Sequence, residues 1–448
     1  MRYLLFLLVL LAFSCNKEDN SSGRSNGDCE YLHSPGLAIQ PMTNSILVNY
    51  SFSNIANWPI DPQPAEELSC EPEMATISIS SDGENFEEVV TLGAITGTYL
   101  IEDLEDCELI HVRLQGSHQD FETVSTTRTA IVGEIGMPDI IDADISLQAF
   151  TLANDEDQFI YQTTGDDWRL SSFSNTTEGD LIFRDAFRTR WNPNQDNLVA
   201  GVENILVPIL PNTNGITSKY LVQYNLNTGT KEVLHEIENH MDFNNDVYSP
   251  ELYWIHEFYY SLDGQSIYFM SNKDNGGNSI FDQKVYDNIW KLDLATKEIE
   301  PLSDFLPLNF DLVDFVEDPK AQGNFYITGG ERDALVEING QSYTTDLVDV
   351  HYFNTSNQSM TPIFQNRFDT EYISINPSGE SLLFTLTHAG SQELISFDIT
   401  NQKVKQITDT REYRTFNRWT NVNWLSDSRF STIIGIQNEP KFARFRIN

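Results

Sequence analysis

The sequence is poor in basic residues: 27 Lys plus Arg stand against 67 Asp plus Glu in 448 residues, a formal charge of −40. A surface of that sign repels nucleic acid and anionic headgroups, so polyanion binding is excluded as a main role. Proteins, neutral glycans and cations are left as partners. Cysteine is scarce too. Cys15, Cys29, Cys70 and Cys107 contain no Cys-x-x-Cys pair, which excludes a thiol metal or redox centre of that kind. Signatures of catalysis are also missing. From residue 28 onward there is no Gly-x-Ser-x-Gly elbow, no His-Glu-x-x-His occurs anywhere, and the eight histidines are scattered. His235 and His240 bracket a polar turn. Asp242 to Val247 alternates oxygen ligands but lacks the glutamate of a calcium loop six residues on, so it reads as turn chemistry. Ser271 to Asn278 is a surface loop by composition. No catalytic residue, metal or cofactor is expected.

The N-terminus reads as an export signal. Arg2 precedes Tyr3 to Phe13, eleven apolar residues where a spanning helix needs ~20. The stretch Leu11-Ala12-Phe13-Ser14-Cys15 resembles the lipobox of bacterial lipoproteins, which implies removal of residues 1–14 and acylation of Cys15. Two or more acyl chains at about 0.8 kcal/mol per buried CH₂ anchor a protein stably. Asn16-Lys17-Glu18-Asp19 is similar to the acidic stretch that sends some Gram-negative lipoproteins to the cell surface. The expected location is the bacterial outer membrane, on its outer or periplasmic face. Residues 15–27 beyond the signal hold no apolar side chain except Cys15 and form a flexible tether.

Acidity is uneven along the rest. Residues 28–133 carry 18 Asp plus Glu against Arg113 and Arg128 alone, whereas 134–448 carry 47 against 22, which places a domain boundary near 133. Within 28–133, Ser45–Phe52, Met74–Ser80, Phe86–Leu92, Gly97–Leu104, Glu108–Gly116 and Phe121–Val132 alternate or are rich in β-branched residues, with Ser81-Asp82-Gly83 as a hairpin turn. About seven strands in a hundred residues fits a β-sandwich. The span Ile77 to Leu92 with Leu104 and Ile110-His111-Val112-Arg113 resembles a fibronectin type III domain. In that topology Cys29 and Cys70 lie at one end and Cys107 at the other, so the resemblance implies a Cys29–Cys70 disulfide.

Residues 134–448 repeat. Tyr220–Leu234, Asn288–Leu302, Val350–Ile363 and Glu393–Ile407 each read as strand, polar turn, strand, with Asn225, Asp293, Asn354 and Asp398 as equivalent points spaced 68, 61 and 44 residues apart. Upstream lies a second landmark, at Trp191–Ala200, Tyr260–Met270, Ile375–Thr385 and Trp424–Ile433. Units of four strands follow, and the shortest spacing matches one propeller blade of ~40–45 residues. The excess is expected in loops such as Ser271 to Asp287. With a degenerate unit around Asp157–Tyr161 and a last one ending at Phe442–Ile447, six blades are expected. Closure would come from a strand before the first unit pairing with Lys441–Ile447.

Tyr260-Ser-Leu-Asp-Gly264 and Ile375-Asn-Pro-Ser-Gly379, with their Asp-Leu hairpins, resemble the TolB-type, WD-repeat-like propeller family. That resemblance implies an all-β chain, a fibronectin-like sandwich (28–133) followed by a six-bladed β-propeller (134–448). In such propellers the innermost strand of each blade borders the axis and here precedes each turn landmark. Polar residues on it include Arg188, Arg190, His256, Glu257, Glu371, Arg418 and Asn421. Arg188, Glu257, Glu371 and Arg418 form the candidate ligand-binding face, since converging polar groups in a funnel are the default ligand site; mutual ion pairing is the plainer alternative. Trp254, Tyr259, Trp419 and Trp424 either stack on sugars or fill the spaces between blades. The reading is a lipid-anchored envelope protein binding a protein or polysaccharide. Its rivals are a propeller-type polysaccharide lyase or glycosidase, and a structural part of an envelope complex.

Overall fold

The computed structural model describes residues 31–53, 69–93, 96–133, 139–141 and, with interruptions, 149–447; the stretches within 149–447 outside the description are 154–157, 164–166, 174, 185, 208–215, 238–240, 243–246, 249–254, 256, 272–287, 304–305, 307–309, 332–333, 339–340, 346–347, 366–368, 389–390, 409–413, 416–421 and 437–438. Cys15, Cys29, the tether, Trp254, His256, Arg418, Trp419 and Asn421 lie outside the described residues. The described chain is all-β, with no helix.

Residues 31–133 build a three-stranded sheet (Ser34–Met42, Ser45–Ser53, Gly97–Ile101) and a four-stranded sheet in the spatial order Glu87–Leu92, Met74–Ser80, Leu109–His118, Phe121–Ile131. One apolar cluster joins them: Ile46, Val48 and Ile101 from the first sheet meet Ala75, Ile77, Val112 and Leu114 from the second. The alternation Ile46, Val48, Tyr50, Phe52 with Leu47, Asn49 and Ser51 between them is the period-2 pattern of a strand buried on one face. Ser34–Met42 lies at a sheet edge, where Pro35 and Pro41 cost little because an edge strand need not donate on its open side. Cys70 is disulfide-bonded and Cys107 is a free thiol. Leu109 and Ile131 also enter a cluster with Tyr326, Val350 and Phe397, so these sheets lie against the later part of the chain.

From Asp139 onward the described residues form six sheets of four or five strands that follow one another. Five are built from consecutive segments, over 149–183, 186–237, 258–301, 310–364 and 369–406. The sixth combines strands from 414–446 with Asp139–Ile141, which pairs antiparallel with Glu439–Arg446. In the fourth, the hairpin Ala334–Ile338/Gln341–Thr345 is inserted between the second and third strands. Part of the 61-residue spacing between Asp293 and Asn354 is thus ordered strand, a correction to its expected placement in loops.

The apolar clusters show how the sheets are joined. The first and second sheets share Trp168, Phe183, Trp191 and Val222; the second and third share Val202, Leu221, Phe258 and Phe269. Third and fourth meet through Met270, Phe315 and Phe325, fourth and fifth through Tyr326, Ile373 and Phe384. Fifth and sixth meet at Leu383, Phe430 and Phe445, and the sixth returns to the first at Phe442, Ile433, Phe150 and Phe159. Among the described residues each of these sheets thus packs against the next, and the last against the first. The second strand of the third sheet, Ser266–Ser271, is buried at every position and on both faces. Ile267 and Phe269 face the preceding sheet while Tyr268 and Met270 face the following one.

Turn chemistry explains the repeated Asn/Asp. Asp293 Oδ1 accepts from the Ala295 and Thr296 amides at 2.9 and 2.8 Å, and Asp398 Oδ1 from Thr400 and Asn401 at 2.9 and 2.8 Å. Asn225 and Asn354 do the same to the residues two and three positions on. Four residues after each lies a left-handed residue: Gly229, Lys297, Gln358 and Gln402, with φ between +53° and +67°. The first hairpin turns are stitched to their neighbours. Asn192 Nδ2 donates to the Gly264 carbonyl at 3.2 Å, Gln322 Nε2 to Asp263 Oδ2 at 2.6 Å, and Asn376 Nδ2 to the Asp427 carbonyl at 3.2 Å.

Candidate functional site

Residues from all six of these sheets line a common cavity of about 370 Å³. Thr151 and Leu152 come from the first sheet, Arg190 from the second, Glu257 and Tyr259 from the third, Asp314 and Val316 from the fourth, Tyr372 and Ile373 from the fifth, and Asn423 and Trp424 from the sixth.

Strand geometry positions the charged groups. Arg188 and Arg190 are two apart on Ala186–Asn192, and Glu257 stands immediately before Phe258–Tyr260, two residues from Tyr259. Arg188 Nε lies 2.6 Å from Glu257 Oε1, and Arg190 Nη2 lies 2.9 Å from Oε2. Each carboxylate oxygen is thereby in an ion pair with a guanidinium, and Arg188 and Glu257 are buried. The Arg190 guanidinium also stacks over the Tyr259 ring, 4.6 Å from its centre. Burial alone would lower the Arg190 pKa, but Glu257, Tyr259 and Asp314 outweigh it and raise it, so the cation is secure.

Asp314 is the unusual member. A register shift between Leu312 and Asp314 places it on a bulge, a device that re-aims a side chain. A second bulge, at Tyr372 with φ +48°, sits opposite, and the Ile373 amide beside it donates to Asp314 Oδ2 at 3.0 Å. Oδ1 accepts from the Phe315 amide at 2.8 Å and the Tyr259 hydroxyl at 3.1 Å. Three donors occupy three of about four lone-pair sites, and the open site on Oδ2 can hold a proton. Burial first and the Glu257 charge second push the Asp314 carboxyl up to about 7, against the pull of the Ile373 and Phe315 amides and Arg190. Burial and then the Asp314 and Glu257 charges keep the Tyr259 phenol protonated.

Of the four residues singled out from sequence, Arg188 and Glu257 are brought into direct contact. Glu371 lies on Asp369–Ile375 opposite Thr385, its side chain outside the description, and Arg418 lies outside the described residues altogether. Arg190 joins the pair as an equal partner. Asp314 was missed because the fourth sheet's first turn, closed by Asp318 N–H on the Asn324 carbonyl, is one residue longer than the turn closed by Asn376 N–H on the Ser381 carbonyl, and this hides the landmark. Its signal was a lone acid within Leu312-Val-Asp-Phe-Val316. Tyr259 is a ligand of Asp314, and Trp424 lines the cavity. Among the described residues no cluster of three or more His, Cys, Asp or Glu could hold a metal ion.

No family model matches the sequence, and no curated protein matches it. Solved structures do resemble the fold. TolB from Acinetobacter baumannii is 12% identical, with 77% of each chain covered and a TM-score of 0.38. The β-propeller domain of Cps50 (Swd1) from Myceliophteria thermophila is 8% identical over 69% of this chain and 98% of that one, with a TM-score of 0.41. An oligogalacturonate lyase from Vibrio parahaemolyticus is 9% identical over 93% and 97%, with a TM-score of 0.44. The structural neighbours are thus TolB-like and WD40-like β-propeller proteins. The account of the site rests on this chain's own geometry.

Proposed function

We propose that the chain is a non-catalytic binding protein of the bacterial envelope: a six-bladed propeller joined to a fibronectin-like sandwich, tethered through lipid on Cys15, with a protein or polysaccharide ligand engaged at the axial face. The observation that carries the binding reading is the state of Glu257. With one guanidinium on each oxygen it is committed to holding two strands together and is poorly placed to serve as a base or nucleophile. Around it residues from all six sheets line a concave, mixed polar and apolar cavity, the usual form of a ligand site.

One observation favours the rival polysaccharide lyase or glycosidase. Asp314 titrates near neutrality inside the cavity, as a general acid would. Its three hydrogen bonds, all from groups of the protein itself, argue instead for a role in holding the strands together. The test pairs binding with turnover. The purified chain is incubated with soluble acidic and neutral polysaccharides, scored for new reducing or unsaturated ends, and compared with Val422→Trp, which fills the cavity. Binding that Val422→Trp removes, without turnover, supports the reading; sustained product formation that Asp314→Asn abolishes overturns it.

A further inference from the structure

Two residues that line the cavity carry buried donors with no hydrogen-bond partner among the described residues. Arg190 Nε and Trp424 Nε1 are both buried without a hydrogen-bond partner, and both residues line it. A buried unmatched donor costs ~1–3 kcal/mol. An occupant bearing acceptor oxygens would remove that cost.

Charge narrows the occupant. Arg188 and Arg190 supply two positive charges against one on Glu257. The charged side chains facing Asp314 among the described residues are Glu257 and Arg190, and the phenols are Tyr259 and Tyr372, with Glu371 on the same strand as Tyr372. When Asp314 holds its proton the cluster is net positive and receptive to one anion. The remaining lining is mixed, with Leu152, Val316, Ile373, Leu383, Leu394 and Leu425 beside Thr151, Ser374, Thr385 and Asn423. The apolar members suit a hydrocarbon body. At ~30 Å³ per water-sized group, 370 Å³ has room for on the order of a dozen such groups.

We propose that the cavity binds a single free carboxylate carried on an apolar body, either a small alkyl or aryl carboxylic acid or the apolar C-terminal residue of a peptide. Arg190 Nε and Trp424 Nε1 supply the donors, and Asp314 takes up a proton as the second negative charge arrives. The proposal rests on the non-catalytic binding reading and gives the cavity a ligand other than polysaccharide.

The full purified chain is titrated by calorimetry with 4-phenylbutyrate, 4-phenylbutanol, a hexapeptide ending in Leu-Phe with a free carboxylate, its C-terminal amide, and glucuronate. The free acids are expected to bind at least tenfold more tightly than the alcohol and the amide, and several-fold more tightly at pH 6 than at pH 8. Tighter binding of the peptide than of phenylbutyrate assigns a chain end as the source; the reverse order assigns a small acid. Trp424→Phe should weaken the acids and spare the residual binding of the alcohol, and Val422→Trp should abolish both, with thermal unfolding confirming that each variant folds. Equal binding of acid and amide, glucuronate bound in preference to the apolar acids, or no acid bound at millimolar concentration overturns the proposal. If the acids fail while a soluble polysaccharide binds and Val422→Trp removes it, only the ligand class is wrong. If polysaccharide is turned over, the non-catalytic reading fails by itself.

Discussion

Replacing Asp314 by Asn should change stability in opposite directions at low and high pH. The folded wild type holds a proton on Asp314 up to about 7, whereas the unfolded chain releases it near 3.8. Between those values the folded state binds the extra proton, so this group's contribution is most favourable below 3.8 and is lost as pH rises towards 7. At 1.36 kcal/mol per unit, wild type should lose about 2–3 kcal/mol between pH 5 and pH 8 on this account. Asn carries no charge and avoids that loss. It has its own cost, because an amide nitrogen cannot accept the Ile373 N–H that Oδ2 now accepts at 3.0 Å. An unsatisfied amide costs ~1–3 kcal/mol at every pH.

The variant should therefore be less stable than wild type at pH 5 and equal or more stable at pH 8. Urea unfolding of both proteins at half-unit pH steps, followed by tryptophan fluorescence, measures the difference. The repulsion among 67 acidic residues affects both proteins alike and cancels. A difference that is flat within about 0.5 kcal/mol across this range would refute the argument that Asp314 is protonated in the fold, because 2–3 kcal/mol is expected from the linkage.

Three further outcomes are expected. Lys297→Gly and Gln402→Gly should each raise stability by about 0.5–1 kcal/mol in denaturant unfolding, since both residues sit in the left-handed region at φ +62° and +55°. Gly264→Ala should lower stability by about 1–3 kcal/mol, because φ is +68° and an added Cβ would lie 2.5 Å from Asn192 Oδ1; a Tm unchanged within error would show that the stitched turns carry no strain. Cys15→Ser should release the chain from membranes under high salt in cell fractionation, and retention there would remove the lipid anchor.

The ring was legible where the sequence repeats a physical requirement. A strand pressed between two sheets must be apolar on both faces, and Ser266–Ser271 and Ser381–His388 are written that way. A tight connection between third and fourth strands needs an acceptor for two free amides, and Asn225, Asp293, Asn354 and Asp398 supply it at every turn they occupy. The inserted hairpin 334–345 was not legible as such. Its two short strands pair with each other and not with the sheet, so no repeat position marks them. Ser34–Met42 escaped for a different reason: its two prolines argue against a strand, and only its place at a sheet edge permits them.

The site was legible in its charges and illegible in its geometry, and the two facts have one cause. Ring closure brings the first strands together, so a polar residue on them loses water and must be answered by a residue from another sheet. That much follows from the repeat, and it marks Arg188, Arg190 and Glu257 before any coordinates exist. Which residue answers which depends on bulges, and a bulge is a single extra residue with no compositional signature. The bulge at Leu312/Asp314 and the one at Tyr372 together bring Asp314 to the Ile373 amide and the Tyr259 hydroxyl. The result is an acid surrounded by donors yet close to another acid. Burial and Glu257 outweigh those donors, and the group stays near its midpoint at neutral pH. Two guanidiniums, one carboxylate and one acid near its midpoint leave a site whose charge follows the proton on Asp314. A purely structural ion cluster gains nothing from such a residue, since a matched pair or an apolar side chain would be as stable or more so. A cavity that admits an anion does gain from it, because arrival of the anion and uptake of the proton keep the buried charge balanced.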